Sequence, residues 1–227
     1  MMLHVPAVLS GEALADIRTR LSAAGWGDGK VTAGPQSGAV KRNLQLAQDS
    51  AEARELGTLV LKALDRSPLF VSAALPARIF PPLFNKYAPG MDFGSHIDNA
   101  IRGVGPGMAP IRTDLSATLF LSDPASYQGG ELVIEDAYGA PAIKLAAGDM
   151  ILYPATSRHL VRPVTSGERV ACFFWVQSLV KDAGERAMLF DLDQTIQRLS
   201  ADLGANREEV LRLTGHYHNL VRKWGAP

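Results

Sequence analysis

Two side chains able to bind a metal stand one residue apart in the segment Gly94-Ser-His-Ile-Asp98. On an extended strand successive side chains alternate between faces, so His96 and Asp98 share a face and can grip one ion. A pair is a pincer, not a site, and a third ligand has to come from elsewhere in the chain. His159, which closes the segment Asp149-Met-Ile-Leu-Tyr-Pro-Ala-Thr-Ser-Arg-His159, is the best-placed candidate. Two imidazoles and one carboxylate on one side of an ion, with the opposite positions open, is the donor set associated with non-haem Fe(II). Downstream, the run from His159 to Arg169 reads as strand, turn at Ser166-Gly167, and strand. That hairpin returns a fixed positive charge towards the ion. An ion with open positions and a buried guanidinium together suit a small dicarboxylate that chelates the ion at one end and meets Arg169 bidentately at the other. Burying Arg169 in a β core without a counter-charge would otherwise be costly.

The elements that must position these residues are bounded by composition. The chain has 227 residues, of which 47% are hydrophobic, enough for one good-sized domain with an appendage or for two small ones. Lys and Arg together number 23, as do Asp and Glu, so no basic footprint of a nucleic-acid binder is present. The single cysteine, Cys172, cannot make an internal disulfide, which favours a reducing compartment. The opening Met-Met-Leu-His-Val-Pro-Ala-Val-Leu-Ser lacks the pattern of a secretion signal, and no apolar run approaches the ~20 residues needed to span a bilayer. The expectation is a soluble, cytoplasmic protein without nucleic-acid or membrane partners.

Three regions follow from the patterning. Residues 1–68 are expected to form a helical support. One helix is capped at Ser10, carries Leu14, Ile17 and Leu21, and ends near Gly25; another is capped by Asp49 or Ser50 and carries Leu56, Leu59, Val60, Ala63 and Leu64. Residues 27–43 read as a loop or short edge hairpin. Residues 69–180 carry short β-branched and aromatic runs broken by Pro, Gly and Asp, the pattern of an all-β barrel or sandwich. The strands expected there are 69–74, 78–87, 94–98, 114–121, 130–135, 142–145, 149–153, 160–163 and 169–177. Residues 181–227 read as a helical hairpin that opens on Asp182-Ala-Gly-Glu185. Its first arm carries Leu189, Leu192, Ile196, Leu199 and Leu203; after Gly204, Asn206 caps the second, which carries Val210, Leu213, Tyr217 and Leu220. Such a stripe packs on its own domain or pairs with a second copy of the chain.

Other residues are weighed against ordinary structural roles. Asn85 and Tyr87 share a strand face and either contact a bound dicarboxylate or simply pack. Residues 99–113, glycine-rich and directly after the ligand pair, occupy the position of a flexible lid, where Arg102 and Arg112 would meet an anionic substrate or solvent. His4, His216 and His218 read as surface residues. Cys172 reads as a small core residue, and Trp175, on the Arg169 face, as a pocket wall or packing.

The ordered set His96-x-Asp98, His159 and Arg169 resembles the Fe(II)/2-oxoglutarate-dependent dioxygenases of the prolyl-4-hydroxylase-like branch. It is closer still to the bacterial PKHD-type hydroxylases. Tyr87-Ala-Pro-Gly-Met, Gly94-Ser-His-Ile-Asp-Asn-Ala, Gly129-Gly-Glu-Leu, Tyr153-Pro-Ala-Thr-Ser-Arg-His, Pro163-Val-Thr-Ser-Gly-Glu-Arg and Phe174-Trp-Val-Gln-Ser carry that likeness, which spans essentially the whole chain. The resemblance implies a mainly β fold with flanking helices around a double-stranded β-helix, iron held by His96, Asp98 and His159, and 2-oxoglutarate held at its distal carboxylate by Arg169. It also implies ascorbate as a requirement, and hydroxylation of a small-molecule or peptide substrate with release of succinate and CO2. Two other readings stay open: a cupin-like metal enzyme without 2-oxoglutarate, which leaves Arg169 idle, and a non-catalytic iron or 2-oxoglutarate sensor that dimerises through the C-terminal hairpin. A zinc hydrolase would need a water-activating base that the sequence does not offer.

Overall fold

Runs of β-branched and aromatic residues between Pro, Gly and Asp breaks give many short strands. The computed structural model describes residues 1–105, 107–137 and 139–226. The strands are β1 (Leu3–Val5), β2 (Trp26–Asp28), β3 (Lys41–Arg42), β4 (Leu44–Leu46), β5 (Pro76–Ile79), β6 (Leu83–Tyr87), β7 (Asp92–His96), β8 (Ile101–Arg102) and β9 (Ile111–Arg112). They continue with β10 (Leu115–Phe120), β11 (Gln128–Gly129), β12 (Leu132–Ile134), β13 (Ala142–Ile143), β14 (Met150–Pro154), β15 (His159–Val161), β16 (Val164–Ser166) and β17 (Arg169–Ser178). Six α-helices flank them: α1 (Gly11–Ala23), α2 (Pro35–Ala39), α3 (Ala51–Asp65), α4 (Pro68–Ala74), α5 (Ala183–Leu203) and α6 (Glu208–Trp224).

The larger sheet runs β1-β14-β10-β17-β6-β4-β2, with β5 paired to the far end of β17; the smaller runs β13-β12-β15-β7-β3, and all pairs are antiparallel. The two sheets face each other across a cavity, the expected double-stranded β-helix with flanking helices. Strand β10 shows how the sequence builds it. Leu115-Ser-Ala-Thr-Leu-Phe120 is buried throughout, because helices cover one face of the strand and the smaller sheet the other. Leu115, Ala117 and Leu119 join the core beneath the helices, while Ser116 and Thr118 line the cavity. On α3, Leu56, Val60 and Leu64 recur at helical spacing with no exposure, each contributing about 1.5–3 kcal/mol by burial.

Several expectations are corrected. Residues 69–74, read as a strand from Phe70 and Val71, form the helix α4: Ser67 Oγ accepts from Phe70 N (3.4 Å), Pro68 opens the first turn, and Phe70, Ala73 and Ala74 are buried. The run 78–87 is two strands, broken at Phe80-Pro81-Pro82, where two prolines cannot donate to a ladder. Residues 1–68 do more than buttress, since β1, β2 and β4 extend the larger sheet and β3 edges the smaller. Residues 27–43, expected as a loop or short edge hairpin, hold a 3-10 turn over Gly29–Thr32, the short α2 and β3, which pairs with β7 at the sheet edge. The stretch 99–113, expected as a flexible loop, holds a short β8–β9 ribbon, with Thr113 N donating to Ala100 O (2.9 Å) and Arg78 to the carbonyls of Ala109 (2.7 Å) and Pro110 (2.9 Å); Pro106 of that stretch lies outside the described residues. At the C-terminal hairpin, Ser72 Oγ donates to Asp193 Oδ2 (2.5 Å) and Leu189 packs with Leu75 and Val180; Arg207, not Asn206, stands at the N-cap of α6.

Candidate metal and co-substrate site

The smaller sheet aims the first ligand through an irregularity. His159 pairs with His96 and Val161 with Phe93, so two steps on β15 match three on β7. The extra residue is a bulge, which turns Phe93 and His96 to the same side, and their rings stack at 3.6 Å. Gly94 within the bulge is required by close approach. A Cβ there would lie 2.8 Å from Val40 Cβ, while its N–H donates to Val40 O (2.8 Å). Asp98 stands just beyond the end of β7, and the backbone past the strand still delivers it to His96. His96, Asp98 and His159 each offer a ligand atom within 4.8 Å of the others.

The surroundings prepare these groups to hold a cation. His96 Nδ1 donates to Gly94 O (2.8 Å) and His159 Nδ1 to Ser157 O (3.0 Å), which leaves both Nε2 atoms as acceptors. Burial, reinforced by the neighbouring His159, pushes the His96 pKa down to about 4, so the ring stays neutral and able to ligate at neutral pH. Ser116 Oγ donates to Asp98 Oδ2 (2.6 Å), and Tyr153 packs edge-on to His159 at 5.3 Å. Two imidazoles and a hydrogen-bonded carboxylate fit a divalent iron ion.

Arg169, at the start of β17, lines the same cavity and is 1% exposed. Its guanidinium lies over the rings of Tyr87 (5.2 Å) and Phe120 (5.3 Å), and its buried Nε and Nη1 have no protein partner. A buried guanidinium with two idle donors calls for an anion such as a carboxylate. Gly130, at φ +68°, makes room for it: a Cβ there would meet Arg169 Cδ at 3.1 Å and Val164 Cγ2 at 2.9 Å.

The chain is similar to known proteins along its length. A family profile described as the 2OG-Fe(II) oxygenase superfamily matches residues 82–177, and one described as the PKHD-type hydroxylase C-terminal domain matches residues 183–226. A PKHD-type hydroxylase of Paraburkholderia xenovorans is 56% identical over 100% of both chains. The PKHD-type hydroxylase PiuC of Pseudomonas aeruginosa is 55% identical over 99% of each.

The chain belongs to the PKHD-type hydroxylases.

Like its relatives, this PKHD-type hydroxylase is an Fe(II)- and 2-oxoglutarate-dependent oxygenase, an oxidoreductase. Its fold is shared with a prolyl hydroxylase of Trichoplax adhaerens solved with a hypoxia inducible factor peptide fragment (TM-score 0.56, 13% identity, 82% of this chain and 86% of that one). A Pseudomonas putida prolyl-4-hydroxylase shares it as well (TM-score 0.52, 17% identity, 78% and 92%).

Of the remaining residues singled out in the sequence, Tyr87 and Asn85 both line the cavity of this PKHD-type hydroxylase, paired across β6–β17 with Arg169 and Ala171. Asn85 Oδ1 is buried without a partner, and burial raises the Tyr87 pKa. Arg102 also enters the cavity, its guanidinium 3.8 Å from the centre of the Trp175 ring. Arg112 does not: it is bidentate to Asp114 (2.7 and 2.9 Å) and reaches Ser178 O (3.1 Å). Cys172 is fully buried in the helix-covered core, and His4 pairs with Asp149 at 2.8 Å. Two contributors escaped the sequence reading, Ser116 and Lys41. The alternation of β10 gives a signal for Ser116, whereas nothing local marks Lys41, which only the pairing of β3 with β7 brings inside.

Proposed function

We propose that His96, Asp98 and His159 hold Fe(II) and that Arg169 receives the distal carboxylate of 2-oxoglutarate, with Tyr87 and Asn85 beside it. Iron and 2-oxoglutarate, when bound, supply the activation of dioxygen and the oxidising equivalents for hydroxylation, with succinate and CO2 as by-products. The chain's own residues do the positioning. The carbonyls of Gly94 and Ser157 fix the imidazole tautomers, Ser116 fixes the Asp98 carboxylate, and Phe93 and Tyr153 keep water from the ligand rings. The observation that carries the reading is Arg169, 1% exposed, with two unpartnered donors in the cavity of the three ligands.

The same resemblance supports an ascorbate requirement, a small-molecule or peptide substrate, and no nucleic-acid or membrane partner. The lone buried Cys172 supports a cytoplasmic setting, and no helix among the described residues is long and apolar enough to cross a membrane. Pairing of two chains through the α5–α6 hairpin is proposed on its exposed Met188, Leu203 and Leu211. The test is succinate release from 2-oxoglutarate by the Fe(II)-loaded protein. Wild type should release it and Asp98→Ala should not; iron and 2-oxoglutarate binding without succinate under any condition would favour the sensor reading.

A further inference from the structure

The cavity holds two cations that the co-substrate does not use. Lys41 is 3% exposed; its Nζ donates to Thr32 Oγ1 and Gln45 Oε1 (both 3.1 Å), which leaves its third donor free. Arg102 converges on the same residue, Nη2 donating to Thr32 O (3.2 Å), while its buried Nε has no partner. Neither makes an ion pair with a carboxylate among the described residues; Asp98 acts on both, and Asp28 on Lys41, only through space. Two like charges face one another here without an anion between them. Burial, and then the Arg102 charge, pull the Lys41 pKa down to about 8.

Position separates this pair from Arg169. Residues 169, 171, 173 and 175 share the inward face of β17. Lys41 lies over Phe173 (5.9 Å) and Arg102 over Trp175, whose Cα atoms are about 13 and 20 Å further along the strand than that of Arg169 at ordinary strand rise. A five-carbon diacid, about 6 Å long at ordinary bond lengths, cannot reach from Arg169 to both. Lys41 nonetheless borders the metal ligands, since it also lies over Phe93 (5.4 Å), the ring stacked on His96. The charges of the loaded centre close without it: the two positive charges of Fe(II) and the one of Arg169 match the one negative charge of Asp98 and the two of 2-oxoglutarate. Lys41 and Arg102 are then surplus.

We propose that Lys41 and Arg102 form an anion-binding subsite for the molecule to be hydroxylated, which therefore carries an oxyanion, a carboxylate or a phosphate. This rests on the Fe(II)/2-oxoglutarate reading above. Thr32 orients both cations, and the rings of Phe173 and Trp175 form the floor against which they are held.

The test uses the full chain loaded with Mn(II), which is paramagnetic and leaves no turnover, and saturated with 2-oxoglutarate. Acetate, inorganic phosphate and neutral acetamide are the probes, read by the faster nuclear relaxation of each near the metal. Acetate, phosphate or both should relax faster in a saturable way and acetamide should not; which oxyanion responds tells a carboxylate from a phosphate substrate. Lys41→Met and Arg102→Leu should each weaken the response about tenfold, and Lys41→Arg should largely restore it. The relaxation of 2-oxoglutarate in the same samples reports that the site is intact, and Arg102, on the outer ribbon, gives a second variant should Lys41→Met fail to fold. Equal enhancement of acetamide, no response to either oxyanion, or a response that survives both variants, as direct binding to the metal would, overturns the proposal. Failure of wild type to bind 2-oxoglutarate overturns the underlying oxygenase reading and this inference with it.

Discussion

Nε2 of His159 stands 3.8 Å from Oδ2 of Asp98, two atoms able to ligate a metal, brought together from distant parts of the chain and forming no hydrogen bond with each other. With the two side chains only 7% and 10% exposed and no hydrogen bond joining them, the pairing is one that folding alone does not reward. A cation between them does. Ser116 then matters because it holds the same carboxylate oxygen in place.

Removing that hydroxyl should therefore be felt at the metal. Ser116→Ala should weaken Fe(II) binding by about 10-fold or more, as loss of a group that orients a ligand typically does. Anaerobic Fe(II) titration checks it, and an unchanged affinity would mean that Asp98 is oriented by the backbone alone.

Gly130→Ala should act on the co-substrate. Its φ of +68° disfavours a side chain, and the new methyl would press on Arg169 Cδ and Val164. The expected outcome is a loss of about 1–3 kcal/mol of stability in urea unfolding together with a raised KM for 2-oxoglutarate. Loss of stability with an unchanged KM would show that Arg169 adjusts freely.

Arg112→Ala should behave oppositely. Asp114 accepts from Arg112 and from Ser178 N (2.9 Å), so the pair ties β9 to the end of β17 away from Arg169. With Arg112 part-exposed, about 1–2 kcal/mol of stability should go, read by urea unfolding, while 2-oxoglutarate affinity stays near that of wild type. A large fall in 2-oxoglutarate affinity would bring Arg112 back into the site.

Lys41 gives a pH signature. Its folded pKa of about 8 lies below the ordinary 10.5, so between those values the unfolded chain binds more protons than the folded one. Stability of the metal-free protein should rise with pH across that window, by about 3 kcal/mol, and the full cost of the buried ammonium is present below pH 8. Lys41→Met should be more stable than wild type at pH 7.5, with the two curves converging towards pH 10.5. Parallel curves would mean that Lys41 titrates normally.

What the sequence disclosed depended on how locally each feature is encoded. His96, Asp98, His159 and Arg169 were legible because their residue types and order are chemical in themselves. The helix cap at Asp182, which accepts from Glu185 N (2.8 Å), was legible because capping is a short-range affair. Residues 69–74 were misread because Phe70 and Val71 favour strands in isolation, whereas Ser67-Pro68 and the core beneath α4 decide the outcome. The role of Lys41 was hidden for a different reason, whereas Arg102 was singled out as a residue that would meet an anionic substrate or solvent. The burial of these two side chains follows from β3 pairing with a strand about fifty residues away and from the β8–β9 ribbon folding over Trp175, neither of which leaves a local pattern.

The most direct measurement of the central claim is an anaerobic titration of the Fe(II)-loaded protein with 2-oxoglutarate, following the weak visible charge-transfer band of the chelate in wild type and in Arg169→Ala. The account predicts a band that saturates in wild type and needs at least about tenfold more 2-oxoglutarate in the variant, with iron binding retained. A wild-type protein that binds iron yet shows no band at any 2-oxoglutarate concentration, or a variant that titrates like wild type, would contradict it.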